Sequence, residues 1–294
     1  MATSKLKYGI IGTLLLATIA TIAVLVFVRA RTKLPPMPNP NGYEFFVRAA
    51  QALPAAVSDY REMSPAALRT LVGQDAAALA LARQGFGYEC RVADNYATNL
   101  TDLLPRLKSL NYAFGAEGRL AELDQRPADA VHSYLDDLRY GQEASRGGTL
   151  IFRLVGIAIE TIALRSLAPL TNSAEAGLCK ATAAVLENLD AKEPSIAETL
   201  EQENAYFHRN LGLRDLIPGV QAMQRKMVAP VLKSAVGKFQ TNEFALRQTM
   251  IAFAARAYEL EHKQPPKSVG DLAPDYLKAI PPDPRTGNAV TTTP

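Results

Sequence analysis

Residues 110–138 read LNYAFGAEGRLAELDQRPADAVHSYLDDL, and this stretch decides the fold class. Together with Leu100, Leu103, Leu104 and Leu107 just before it, Leu110, Ala113, Phe114 and Leu120 recur at intervals of three and four residues. That is the period of one helical face, not the alternation of a strand. The pattern runs from Asn99 to Asp124 and breaks at Gln125-Arg126-Pro127. Proline has no N–H to continue a helix and sits well at the start of one. A second helix is therefore expected over Ala128 to Ala144, with Val131, Leu135 and Leu138 on one face. Two amphipathic helices joined by a tight break bury those faces against each other, which makes an αα-hairpin.

The same signals extend in both directions. Toward the N-terminus, Asn41 or Asn39 is placed to cap a helix from Gly42, with Phe45, Phe46, Ala49, Ala52 and Leu53 at helical spacing. Ser64-Pro65 reads as an N-cap with proline at the first helical position, opening a helix over Ala66 to about Gln84 that stops at Gly85 or Gly87. Toward the C-terminus, Gly147-Gly148 punctuates before TLIFRLVGIAIETIALRSLAPL, Thr149 to Leu170. Arg153, Glu160 and Arg165 make that segment too polar to span a bilayer, so it is expected to be an internal helix buried on most sides. Ser173 is expected to cap a helix over Ala174 to Ala191, and Pro194-Ser195 to restart a more polar one. Pro218 and Pro230 predict two short helices and a joint over Leu213 to Gly237, with Thr241 capping a last helix from Asn242 to about Lys263. No alternating run argues for a sheet. The chain reads as all-α.

Ahead of this body lies YGIIGTLLLATIATIAVLVFV, Tyr8 to Val28, with no charged side chain. At 1.5 Å per residue it makes a helix of about 31 Å, matching a hydrocarbon core of roughly 30 Å. The run exceeds the 7–15 residues of a signal-peptide core, so it reads as an uncleaved single-pass anchor held in membrane lipid. Lys5 and Lys7 precede it and Arg29, Arg31 and Lys33 follow, which nearly balances the two flanks and leaves orientation open. Residues 34–41, LPPMPNPN, hold four prolines and form an extended spacer. The net charge of +3 belongs to the anchor: from residue 34 onward there are 27 basic and 29 acidic residues. A mildly acidic body with no basic patch argues against nucleic acid as a partner. Cys90 and Cys179 read as two separate buried thiols, or as a pair if the body meets an oxidising compartment.

Two stretches carry resemblances. The 110–138 hairpin is similar to a single tetratricopeptide-type hairpin, with no second copy at a spacing near 34 residues. Residues 245–288 read ALRQTMIAFAARAYELEHKQPPKSVGDLAPDYLKAIPPDPRTGN. Ala254, Tyr258, Pro265-Pro266, Leu272, Pro274, Tyr276-Leu277, Ile280-Pro281, Asp283-Pro284 and Gly287 resemble the C-terminal part of type II secretion major pseudopilins. The segment from Gly147 through the 160s looks like that of uncharacterised membrane-anchored helical proteins of planctomycete-type bacteria, which often carry the same ending. The resemblance implies a bacterial inner-membrane protein whose body lies on the extracytoplasmic side, without a defined activity. It also implies that Leu272, Tyr276 and Leu277 pack a short helix against the long one before it. The chain departs from a pseudopilin in having no glutamate within residues 1–33. The organisation expected is an anchor at 1–33, a spacer at 34–41, a helical domain at 42–240 and a pseudopilin-like segment at 241–294.

Chemistry is sparse. Glu259-x-x-His262 and Asp129-x-x-His132 have the i, i+3 spacing of di-iron bundles, but a site needs two true Glu-x-x-His motifs and two more glutamates. One carboxylate at Asp283 falls short of the six to eight oxygens calcium takes. Glu193, Glu198, Glu201 and Glu203 read as a solvated face near a helix start. No metal, cofactor or catalytic residue is assigned, and the chain is not expected to be an enzyme. Arg153 and Glu160, seven apart on one face with Gly156 between them, leave two readings. Either they form a narrow solvent-facing stripe, or they line a polar groove where Gly156 admits another backbone or a ligand. The function expected is protein–protein interaction or scaffolding with other membrane or envelope proteins. A divergent secretion- or pilus-associated component is the alternative, and an enzyme at the Arg153–Glu160 groove the more distant one.

Overall fold

A computed structural model describes residues 35–54, 60–93, 100–211 and 218–290 of the chain, without side chains at 100–102, 207–211 and 218–231. The expected anchor over Tyr8 to Val28 lies outside the described residues. Among those described, no helix is long and apolar enough to cross a membrane. The described chain is all-α, with helices α1 (Gly42–Ala52), α2 (Pro65–Gly85), α3 (Leu100–Leu123), α4 (Pro127–Glu143), α5 (Leu150–Leu167), α6 (Ala176–Ala191), α7 (Ile196–Leu211) and α8 (Pro218–His262). No β-strand occurs among the described residues, and one isolated antiparallel bridge joins Pro282 to Ala289.

Caps fix most helix starts where the sequence places them. Asn41 Oδ1 accepts from Tyr43 N at 3.1 Å and Ser64 Oγ from Ala67 N at 3.3 Å, satisfying donors that the first turn leaves over. Between α3 and α4, Gln125 takes φ +56° and Arg126 N reaches back to Ala121 O at 2.8 Å. That left-handed residue and six-residue closure end α3, after which Pro127 opens α4. The hairpin legible at 110–138 thus forms. Two expected starts differ. Ser173 does not cap α6: its hydroxyl donates to Leu170 O at the end of a 3-10 turn, and α6 begins at Ala176 behind Glu175. Thr241 lies inside α8, donating to Gly237 O one turn back. The break expected around Pro230 is absent, and α8 runs unbroken for 45 residues, roughly 67 Å at 1.5 Å per residue, across positions 240 and 241.

Packing follows the chain. α1, α2 and α3 enclose one cluster with Tyr43, Phe46, Leu79, Leu107 and Phe114, reached by Tyr140 of α4 and by Phe152 and Ile159 of α5. Tyr140 carries its hydroxyl into this core and donates to Leu107 O at 2.9 Å, so the buried phenol is not left unpaired. A second cluster joins α4, α5, α6 and α8 through Leu138, Leu164, Leu167, Cys179, Leu186, Met250 and Phe253. A third places Leu150 and Ile157 of α5 against Ala235 and Phe239 of α8. α5 supplies residues to all three, which is why its sequence is apolar nearly all round. The ending folds onto α8: Leu272, Tyr276, Leu277 and Val290 are buried in the second cluster, with a 3-10 turn at Val269–Leu272 in place of the expected short helix.

Candidate functional site

The polar pair of α5 is buried. Arg153 and Glu160 are both 0% exposed, so the solvent-facing stripe is corrected: the surrounding helices cover that face completely. Gly156 admits a backbone. A Cβ there would stand 2.5 Å from the carbonyl oxygen of Gly141, and one on Gly141 would stand 2.8 Å from that of Gly156. Two facing glycines bring α4 and α5 close enough for Ser145 Oγ to lie 3.4 Å from Arg153 Nη1.

Around the guanidinium the chain assembles a closed network. Arg153 Nη1 donates to Glu160 Oε1, and Nη2 donates to Glu193 Oε1 at 2.7 Å. Asn242 Nδ2 donates to Glu160 Oε2 at 2.5 Å and to Glu193 Oε1 at 3.3 Å. The Phe239 ring lies 5.4 Å from the guanidinium carbon. The network therefore ties α5 to the α6–α7 connection and to α8, elements 40 to 82 residues apart in sequence. Charges taken out of water need such partners, since an uncompensated buried ion costs several kcal/mol. Arg153 Nε and Glu193 Oε2 are buried and find no hydrogen-bond partner in the protein.

Glu193 also faces outward. A cleft of about 330 Å³ opens between the α6–α7 connection and α8, with Asp190, Glu193, Ser195, Gln240 and Glu243 supplying its polar lining. Pro194, Ile196, Val236, Phe239 and Pro284 make the rest apolar. Arg247 bridges two of the acids, lying 3.0 Å from Asp190 Oδ1 and 2.6 Å from Glu243 Oε1. Burial pushes Asp190 and Glu243 above the usual carboxylate range. At Glu193 burial and then the neighbouring Glu160 charge outweigh the pull of Arg153, and the carboxyl is pushed up to about 8. It holds its proton at neutral pH. Ser195 is engaged as a cap, its Oγ accepting from Glu198 N at 3.1 Å, and is not paired with a base.

The sequence pattern does not anticipate Glu193, which is placed there on a solvated face. Pro194 beside it is buried, and Glu193 is half-buried between the Arg153 network and the cleft. Glu203 is corrected too: its Oε2 accepts from Leu150 N at 2.7 Å and caps α5 from across the fold. Glu198 and Glu201 lie on the outer side of α7 as expected, half-buried and exposed. The histidine motifs come apart. Asp129 pairs with Arg126 and Glu259 with Arg256, while the His262 ring lies 4.2 Å from that of Tyr258, tilted by 32°. No cluster of three metal-binding side chains exists among the described residues. Asp283 is held by Arg285, whose charge and hydrogen bonds pull its carboxyl below the usual range. Cys90 and Cys179 are free and buried in different clusters. No protein-family model, curated protein or solved structure matches this chain.

Proposed function

We propose that the chain is a single-pass inner-membrane protein whose helical body stands outside the cytoplasm and works by contact with other membrane or envelope proteins. The observation that carries this reading is the closure of the Arg153 network. The two charged residues most suggestive of chemistry are wholly enclosed and hold α5, the α6–α7 connection and α8 in register. Such groups rigidify a body, and Arg153 and Glu160 themselves present nothing to a substrate. The apolar run over residues 8–28 supplies the tether, and the proline-rich spacer, largely exposed over residues 35–40, holds the body off the bilayer. We read the chain as a scaffold and not an enzyme.

The ending favours a second reading, a divergent secretion- or pilus-associated component. Leu272, Tyr276 and Leu277, three of the residues on which the pseudopilin resemblance rests, pack against α8, where Tyr276 lies 5.6 Å from Tyr258. The test begins with topology. A phosphatase fused after Pro294 is active only outside the cytoplasm, and strong activity is the expected result. An intact but inactive fusion would place the body inside and remove both readings. Crosslinking in intact membranes, followed by recovery of the anchored chain, then separates a scaffold with envelope partners from a component recovered with secretion machinery.

A further inference from the structure

We propose that a cavity between α2 and α3 holds, at Asp75, a single monovalent cation about the size of a water molecule, ammonium or potassium. The inference rests on this cavity alone and stands or falls separately from the scaffold reading. Its polar lining is Asp75 of α2, Ser109 and Tyr112 of α3, and Tyr60 of the 3-10 turn Tyr60–Glu62; the rest is apolar. Tyr60 belongs to a small apolar cluster with Leu68, Leu71, Ala116 and Leu120, and Tyr112 packs against it. The cavity measures about 10 Å³, room for the centre of one water-sized sphere. Size therefore admits one small ion or one ammonium head.

The second observation is the carboxyl itself. Asp75 is 4% exposed and takes no hydrogen bond or ion pair among the described residues. Neither of its oxygens is sealed off, and the group lines the cavity. A buried carboxylate with nothing to replace its water is costly, and a cation entering the cavity would offset that cost. Burial alone pushes the carboxyl up, with no neighbouring cation to pull it back. The positive groups nearest the lining lie over its two rings instead: Arg61 is 5.0 Å from the Tyr60 ring centre and Lys108 Nζ 5.3 Å from that of Tyr112. The remaining groups suit a cation. Ser109 Oγ gives its hydrogen to Pro105 O at 3.1 Å, so its lone pairs are left to accept. The Tyr60 and Tyr112 rings meet edge to face, 6.2 Å apart, and aromatic faces attract positive charge. One carboxylate balances one charge, and no three carboxylate, imidazole or thiolate groups converge among the described residues, so the donor set disfavours a multivalent metal.

The test is thermal melting of the full chain in neutral detergent at equal chloride, with choline, potassium, ammonium or methylammonium as the cation. Choline is too large for the cavity. Potassium or ammonium should raise the melting temperature over choline in a saturable way, by about 3–5 °C at a tenfold excess over the dissociation constant. A response to methylammonium as well assigns the site to the head of an amine-bearing molecule; a response to potassium and ammonium alone assigns it to the free ion. Proton and cation compete for Asp75, so the shift should shrink from pH 8 to pH 5. Asp75→Asn should melt no lower than the parent in choline and lose the shift. Thallium NMR on the parent chain covers the case in which the variant fails to fold: the thallium signal should broaden with the protein and sharpen again when potassium is added. Three results would overturn the proposal: equal melting of the parent in every cation, which leaves the cavity to water; the same shift in Asp75→Asn, which is a general salt effect; or thallium broadening that potassium does not reverse.

Discussion

Replacing Arg153 by methionine tests the network directly. Methionine keeps much of the packing volume against Phe239 but removes the only cation between two carboxyl groups, one 0% and one 11% exposed. Removing one member of a buried pair typically costs about 3–5 kcal/mol, because the remaining charge is left uncompensated. Loss of the ring contact adds about 0.5–2 kcal/mol. Against a total stability of about 5–15 kcal/mol, that is a large fraction. The companion variant, Arg153→Met with Glu160→Leu, removes the stranded charge, and such replacements are often neutral or stabilising. The double variant should therefore recover about 2 kcal/mol or more over the single one. Urea unfolding of the detergent-solubilised chain, followed by far-UV circular dichroism at pH 7, gives both values. A single-variant loss below about 1 kcal/mol, or a double variant weaker than the single, would show that the ion pair does not hold these helices together.

Glu193→Gln should change the pH dependence of stability. The folded carboxyl keeps its proton up to about pH 8 against an ordinary value of 4.5, so between these the folded state carries the extra proton. Its contribution is fully present below pH 4.5 and is lost as pH rises through 8, with a slope of at most about 1.4 kcal/mol per unit. The variant should flatten that slope in urea midpoints taken at pH 5, 6.5 and 8; an unchanged slope assigns the proton elsewhere. Gly156→Val should lower stability by about 1–3 kcal/mol through the Gly141 carbonyl, and thermal melts will show it. Gly177→Ala, in α6 with nothing within 4 Å of the added methyl, should instead gain up to about 1 kcal/mol. Burial pushes the Cys90 thiol up to about 12 and raises Cys179 as well, so neither should react with iodoacetamide until urea is added. Mass spectrometry counts the adducts, and labelling of either thiol in the native chain would contradict its burial.

Much of the helical order was legible because each signal acts within a few residues. Asn41, Ser64 and Pro127 satisfy or replace first-turn donors whatever lies elsewhere, and the Leu100–Leu120 face is periodic on its own. Pro230 misled because a proline's local penalty competes with tertiary contacts the sequence does not display. α8 packs along α5 and α6, and burial of Leu246, Met250, Phe253 and Ala257 favours one continuous rod through its C-terminal half. Thr241 has the look of a cap only if a helix begins there; inside α8 its hydroxyl returns to Gly237 O. Arg153, Gly156 and Glu160 were rightly singled out, yet their exposure was not readable, since it depends on Glu193 and Asn242, 40 and 89 residues beyond Arg153.

The location of the network explains why the α5 sequence looks as it does. α5 enters three of the four apolar clusters and leaves only a narrow stripe at Ile151, Ala158 and Arg165 exposed, and the covered faces of such a helix would ordinarily carry no charge. The two buried charges, Arg153 and Glu160, are tolerated only where other elements bring complementary groups. Those elements are the short α6–α7 connection, through Glu193, and α8, through Asn242. An apolar interface between two helices accepts a shift of one turn at modest loss, because one ridge replaces another. A shift of α8 by one turn would carry Asn242 about 5.4 Å from Glu160 and break a 2.5 Å hydrogen bond in a site closed to water. The network thus sets register, as buried polar groups do in coiled coils. The cleft, built from the α6–α7 connection and α8, inherits its shape from that register.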